Sequence, residues 1–487
     1  MSRVAEHYAL GSTQSGLDFV DVDLDTDVPV YIDPAALRAQ SGDWAESSIE
    51  SIQSYFAVLI EAIRNDDEAR IRELILPLRE PNETHLGMSR GKSRGNSLGS
   101  AKKAQELIDN LRESKAAKSG FLSDLDDTAL FVKGVDRDVI SDITTCIIRR
   151  HLIEYTQAQC TFHGIDMEQQ DSGPMWDSVN EVWTDAFVDL PRANDQPLLL
   201  VPKSIVRLRL SVDKGKYYRG YLRPYFEDAE LGKARSDFVK IVTDSRTKTR
   251  VRKVKKKELD QHLGTTKPDI ESHTEKYPAA LDDYKTAMRG NTEAPLPDQD
   301  FHSNIATETE SLQDIFAEIR SVKSGRSGAN NYHHSVAKFL TCLFDTQLGN
   351  EKIETKLHNG LKFIDITYDN VASGGFFDWL RKNYSAALIV VECKNYGKDV
   401  KNPEFDQIGM RFSPRRGEVG LLVCRELADV DAARARAKAI ADDGHGYVIV
   451  LTDEDLQALA TTAQQAVGRA KYDYPLLRQR FDELLGL

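Results

Sequence analysis

Residues 387 to 398 read ALIVVECKNYGK, an unbroken apolar run that ends in Glu392 and Lys394. Side chains alternate faces along a strand, so this carboxylate and ammonium emerge together while Cys393 points the other way, toward a core. Upstream, LKFIDITYDN sets Asp365 inside a second strand, where a lone carboxylate is costly unless it meets a cation. Glu354, in KIETKLHNGLKF, falls nearly opposite Asp365 when counted back through Asn359-Gly360, a pair favoured in tight hairpin turns. Three carboxylates and one lysine converging on one sheet meet the requirement for holding one or two Mg²⁺ ions against a phosphodiester. The E-x-K triplet is not specific by itself, since Glu113-Ser114-Lys115 and Glu354-Thr355-Lys356 repeat it, so the setting has to decide.

That setting is the region 304–487. A helix over 304–323 and a Gly/Ser/Asn loop precede the helix that carries YHHSVAKFLTCLFDTQL. A hairpin follows, then a short helix at 376–384, the strand AALIVVE, and a helix starting after Pro403. The strand VGLLVC, the helix DAARARAKAIADD, the strand YVIVL and a last helix complete the order. Helices on a mixed sheet, with a hairpin feeding a central strand, are the expectation.

Asp365, a gap, then Glu392-Cys393-Lys394 in this order resembles the D…(D/E)-x-K core of the restriction-endonuclease-like nucleases, in particular the Mrr-type restriction endonucleases. NPEFDQIGMRF adds to the likeness, because that group often carries a glutamine on the following helix and Gln407 stands there. The resemblance implies that Asp365, Glu392 and the carbonyl of Cys393 coordinate Mg²⁺, with Mn²⁺ as a substitute. It also implies that Lys394 orients or deprotonates the attacking water and that Gln407 positions water or phosphate. Two positions depart from the pattern. Tyr332-His333-His334 stands where members often carry a glutamate, and Ile364 precedes Asp365 in place of proline. Either the histidines or Glu354 replace the glutamate, or a second metal site is absent.

The fold class expected is α/β. A restriction-endonuclease-like mixed sheet flanked by helices occupies 304–487, behind a helix-rich α+β N-terminal domain over 1–243. In that domain 47–75 and 138–160 read as long helices, and 182–190 and 197–210 as strands. Residues 244–303, with Pro295 and Pro297, read as a basic connector. With 40% hydrophobic and 29% charged residues, the chain has enough apolar side chains for real cores. Five scattered cysteines give neither a disulfide framework nor a zinc knuckle. No stretch approaches a membrane span and the start lacks an apolar signal region, so a cytoplasmic protein with no membrane partner is expected.

A net charge of −13 argues against indiscriminate coating of nucleic acid and leaves local patches as the route to DNA. Arg246, Lys248, Arg250, Arg252, Lys253, Lys255, Lys256 and Lys257 form the densest such patch, and Arg415 and Arg416 join them as expected phosphate contacts. KGKYYRGYLRPYF, at 214–226, mixes tyrosines with arginines in a way that suits stacking on bases, although the rings would equally serve a core. Gly87 to Ser93 falls one residue short of a phosphate-loop spacing, with no strand before it. Asp21, Asp23, Asp25 and Asp27 alternate without the Gly and Glu a calcium loop needs, so a solvated strand face is expected.

The functional expectation is a Mg²⁺-dependent DNA endonuclease whose N-terminal domain recognises or regulates, with prokaryotic defence against foreign DNA as its role by analogy. A non-catalytic nucleic-acid sensor and an RNase or structure-specific nuclease are the rivals. A homodimer or a partner protein of a defence system is left open.

Overall fold

The structure is a computed structural model that describes residues 2–40, 42–79, 81–87, 101–119, 122, 124–243, 249–290, 294–357, 362–395, 400–413, 417–466 and 469–486. Among these residues no helix is long and apolar enough to cross a membrane. The chain is mixed α/β, with two main apolar cores: one gathers residues from Val4 to Ile305, the other from Leu312 to Leu484.

The second core is built on a five-stranded sheet. After the helix α1 (Ala329–Phe344) come strands β1 (Leu348–Leu357) and β2 (Lys362–Asn370), helix α2 (Gly375–Asn383) and strand β3 (Leu388–Lys394). Helix α3 (Asn402–Gly409), strand β4 (Val419–Cys424), helix α4 (Val430–Asp442) and strand β5 (Tyr447–Thr452) follow, then helices α5 (Asp453–Gln464) and α6 (Pro475–Leu485). The strands lie in the order β1-β2-β3-β4-β5. β1–β2 and β2–β3 pair antiparallel, whereas β3–β4 and β4–β5 pair parallel through α3 and α4. Parallel pairs need such crossovers, and helices on the faces bury both sides of the strands. Every residue of β4 is buried, as VGLLVC suggests. Ser311 caps the helix Leu312–Ser321, so the helix expected over 304–323 is replaced by Asp298–Ile305 and this second one. The turn expected at Asn359-Gly360 lies outside the described residues, although the strands on either side do pair antiparallel.

In the first core, the long helix expected over 47–75 is two helices, Asp43–Arg64 and Glu68–Ile75. Asp66 at φ 52° turns the chain out of the first, and the Asp67 side chain caps the second by accepting from the Arg70 amide. The run 138–160 likewise divides at Ile148 into Arg137–Ile147 and Arg149–His163, with Asp136 capping the first. Asp33 caps the helix Pro34–Arg38 through the Ala35 amide. Of the run expected at 197–210, only the pair Val206–Arg207 is a strand beyond Gln196–Pro197. The acidic stretch is not a single solvated face: Asp25 is exposed and Asp27 half-buried, but Asp21 and Asp23 are buried, and Asp21 accepts from the Ala5 amide at 2.9 Å.

The segment 244–303 contributes helices Lys256–Leu263, Lys267–Lys276 and Ala279–Gly290, and its Leu259, Ile270, Leu281 and Tyr284 are part of the first core. The tyrosine-rich segment serves that core as well. Tyr217 and Tyr218 are buried, with hydroxyls on Thr274 and Asp260 at 2.8 Å, so their rings are not presented for stacking on bases.

Candidate active site

β2 and β3 bring the first site residues together. Their register pairs Ile366 with Val391, and one step further along this ladder Asp365 meets the start of Glu392-Cys393. Asp365 Oδ2 accepts from the Cys393 amide at 2.8 Å. Residues two apart on a strand share a face, and Lys394 accordingly reaches back to donate to Glu392 Oε1 at 2.8 Å. Cys393 is buried on the opposite side, where burial pushes its thiol far up and keeps it protonated. Its sulfur is a core group, which leaves its backbone for the site.

α3 adds Gln407. Pro403 fits the first turn of this helix, where its missing N–H costs nothing. Lys394 donates to Gln407 Oε1 at 3.3 Å, and Gln407 Nε2 donates to the same Glu392 oxygen that Lys394 holds. Glu392, Lys394 and Gln407 thus close a triangle around Glu392 Oε1.

The other oxygen, Glu392 Oε2, is buried with no hydrogen-bond partner. Such an atom is costly in a native protein and calls for a missing cation or water. Burial pushes the Glu392 carboxyl up, the neighbouring Asp365 charge adds to this, and Lys394 and Arg411 oppose it. A carboxylate pair with an unsatisfied buried oxygen fits a hard, oxygen-seeking cation such as Mg²⁺. Among the described residues no group of three or more His, Cys, Asp and Glu side chains is arranged to hold a metal. The carboxylates brought together here are Asp365 and Glu392, bridged through the Cys393 amide. Glu354 stands on β1 between the pairs Ile353–Ile366 and Thr355–Ile364, which puts its backbone across from Asp365. Its side chain is not among those described.

Other residues complete the surroundings of the two carboxylates. His333 Nε2 on α1 lies 3.7 Å from Asp365 Oδ2, so one of the two histidines at the variant position does reach the carboxylate. His334 instead stacks on Phe162 with ring centroids 4.6 Å apart. Arg411, just past α3, acts on the charge of Glu392, and nothing in its local sequence distinguishes it from other arginines. Asn395 pins the end of β3 by donating to the carbonyls of Lys323 and Gly325 at 3.0 and 2.9 Å and accepting from Arg425 at 2.8 Å. The adjoining Gly/Ser/Asn loop was the only sequence hint of this.

The basic run expected to contact nucleic acid stands apart from this triangle in the chain, next to elements of the first core. Arg250, Arg252 and Lys253 lie exposed on strand Arg250–Val254, which pairs antiparallel with Val239–Thr243. Arg252 donates to the carbonyls of Leu231 and Lys233, Lys255 pairs with Glu258 at 2.9 Å, and Lys256 pairs with Glu227 at 3.1 Å. No ion pair among the described residues engages Arg250, Lys253 or Lys257. Arg246, Lys248, Arg415, Arg416 and the loop 88–100 lie outside the described residues.

Compared with known proteins, the chain matches one family model over residues 9–213, described as a domain of unknown function, DUF8370. That match ends well before the triangle. No curated protein and no solved structure matches the chain.

Proposed function

We propose that this chain is a metal-dependent endonuclease of the restriction-endonuclease-like class, hydrolysing DNA phosphodiester bonds at Asp365, Glu392, Lys394 and Gln407. The observation that supports this best is Glu392, a buried carboxylate held on one oxygen by a lysine and a glutamine and left unpartnered on the other. A structural ion pair at a strand end would pair both oxygens or leave them in water. The sheet suits the reading too, with a hairpin entering a central strand whose neighbours then run parallel.

Asp365 and Glu392, with the Cys393 carbonyl, would hold Mg²⁺ or Mn²⁺. Such an ion supplies charge stabilisation for the transferring phosphoryl group and lowers the pKa of a water toward neutrality. The Lys394 ammonium, anchored at the rim of the pair, orients the attacking water. Gln407 fixes both Lys394 and Glu392 and offers an amide to phosphate. The Cys393 amide holds Asp365 by one oxygen, which sets the direction of the other. Prokaryotic defence is the biological setting that the resemblance suggests.

The test is incubation of purified protein with plasmid, linear and base-modified DNA and with RNA, in Mg²⁺, Mn²⁺, Ca²⁺ or EDTA. Cutting of DNA in Mg²⁺ and Mn²⁺, with Ca²⁺ supporting binding at most, is the expected result. Robust cutting in EDTA would contradict the metal site, and cutting of RNA alone would change the substrate.

A further inference from the structure

A two-stranded antiparallel ribbon stands off the first core. Its strands, Val239–Thr243 and Arg250–Val254, pair with each other and, among the described residues, with no further strand. At its base Phe238 and Val254 pack against the first core, and Arg252 ties the ribbon to the carbonyls of Leu231 and Lys233. Beyond that base Lys240, Ile241, Thr243, Arg250 and Lys253 are exposed, Ile241 to 69%. A lone two-stranded ribbon is at best marginally stable in water, so its surface calls for a reason.

Its charge is one-sided. The two strands hold four cations, Lys240, Arg250, Arg252 and Lys253, and no acid, in a chain whose net charge is −13. The register sets Lys240 directly opposite Lys253. Like charges so placed destabilise a strand pair. No ion pair among the described residues relieves either lysine, and an anion lying across both strands would relieve both. Val242 and Val251, the pair two residues along, share this face with the lysines. They are half-buried, and neither packs against a core. Arg252, opposite Ile241, belongs to the other face, so its tether to Leu231 and Lys233 leaves the lysine face clear.

The shape suits one polyanion. Paired strands lie about 4.8 Å apart, and five residues of strand run about 17 Å. The major groove of B-form DNA, about 12 Å wide, admits a ribbon of this kind. The deep, narrow major groove of an RNA duplex does not. Single strands are held by stacking bases on aromatic rings, and these two strands carry none.

We propose that the Lys240–Lys253 face of this ribbon lies in the major groove of double-stranded B-form DNA. The short Val242 and Val251 side chains meet the base edges on the groove floor, and Lys240 and Lys253 reach the phosphates of its two walls. Arg250 adds a phosphate contact at the outer end. The choice of a nucleic acid rests on the nuclease reading, whereas the duplex form and the groove come from the ribbon itself. Binding of this kind tolerates many sequences, because phosphate contacts position and few base edges are read.

The test is fluorescence anisotropy of the full-length chain, in EDTA, with a DNA duplex, an RNA duplex and single-stranded DNA of one sequence and length, and with poly-glutamate as competitor. The DNA duplex is expected to bind at least about tenfold more tightly than the RNA duplex or the single strand. Bulky groups on C5 of the pyrimidines, which project into the major groove, should weaken binding by about tenfold, and a saturating minor-groove ligand should not. Lys240→Ala with Lys253→Ala should lower the slope of log affinity against log salt by up to about 0.9 per lysine, with the unfolding midpoint held or raised. Lys240→Arg with Lys253→Arg, which keeps both charges, should restore the slope. Equal affinity for the RNA duplex or the single strand overturns the proposal. So does indifference to the C5 groups, or affinity and slope unchanged in the alanine pair. Competition by poly-glutamate as strong as by DNA overturns it in favour of an acidic protein partner. Because binding is read in EDTA, these failures leave the metal site at Glu392 untouched, and failure to cut in Mg²⁺ with duplex binding retained would remove the nuclease reading alone.

Discussion

The amide of Glu351 donates to Asp18 Oδ2 at 3.1 Å, so the edge strand β1 of the five-stranded sheet is fastened to a carboxylate from the first core. Tyr155 donates to the same oxygen at 2.7 Å, and Gln159 reaches the Glu351 carbonyl at 3.1 Å. Thr341 bonds the Glu351 side chain. Two carboxyls therefore share a buried space between the two cores.

That sharing predicts a pH dependence of stability. Burial pushes Glu351 from 4.5 up to about 8, and the Asp18 charge adds to the effect. Asp369, nearby on β2, is pushed up to about 6 by burial. A carboxyl raised in the folded state stabilises fully below its unfolded pKa, and the contribution is lost as pH rises through the folded value. The wild-type protein should lose up to about 1.4 kcal/mol per pH unit from this group between the two values. Glu351→Gln, which still accepts from Thr341, should flatten this slope. Urea unfolding from about pH 5 to about pH 9 checks it, and parallel curves for the two proteins would rule it out.

Glu392→Gln separates activity from stability. The amide keeps an acceptor for Lys394 and Gln407 but loses the charge, and it relieves a carboxyl that burial already pushes up. Cleavage should fall by about a hundredfold or more while the unfolding midpoint holds or rises. Asp365→Asn and Lys394→Ala should lose activity similarly. Cutting at the wild-type rate by all three would remove the active-site assignment.

The local parts of this arrangement were legible in the sequence, and the long-range parts were not. The spacing of Glu392 and Lys394 follows from strand period alone, and the order from α1 to α5 follows from apolar runs broken by Gly, Pro and charge. The histidine pair was legible as a site position, but which of the two reaches Asp365, and the pairing of Asp18 with Glu351 and of Arg411 with Glu392, depend on tertiary placement that no window reveals. The helix breaks at Asp66 and Ile148 were missed because helical periodicity continues across both. The burial of Asp21 and Asp23 was missed because alternating acids have the same pattern whether they face water or a capped amide.

The basic strand yields a sharper binding prediction than its charge run did. Lys255 and Lys256 already have acidic partners, and Arg252 is spent on carbonyls. Replacing Arg250, Lys253 and Lys257 with alanine should lower the slope of log affinity against log salt by up to about 0.9 for each phosphate no longer neutralised. The double variant Lys255→Ala and Lys256→Ala should change it less. Filter binding across a salt series in EDTA decides this, and an unchanged slope in the triple variant would make the strand a solvated face.

The last prediction concerns what the first core does for the second. Asn350 interrupts β1 where the register shifts between Gly349 and Lys352, and it holds φ 55°, a costly conformation for a residue with a side chain. It is kept there by buried hydrogen bonds, donating to Gln40 at 2.6 Å and Asp369 at 2.8 Å and accepting from Ser204 at 2.7 Å. Lys338 on α1 likewise donates to the Gly11 carbonyl at 3.0 Å. A fragment starting at residue 306 keeps the whole sheet, Asp369 included, but strips Asn350 of Gln40 and Ser204, Glu351 of Asp18 and Gln159, and Lys338 of the Gly11 carbonyl. Each polar group left without its partner costs about 1–3 kcal/mol unless water replaces it. The bulge lies on the strand that carries Glu354, so its relaxation should reach the site across from Asp365. The fragment is therefore expected to unfold at lower denaturant than the full chain and to cut more slowly. Asn350→Ala in the full-length protein should move both quantities in the same direction by a smaller amount. Circular dichroism with a cleavage assay on all three proteins is the measurement. A fragment that matches the full chain in both midpoint and rate would show that the contacts at Asn350 and Glu351 hold the two cores together without shaping the site.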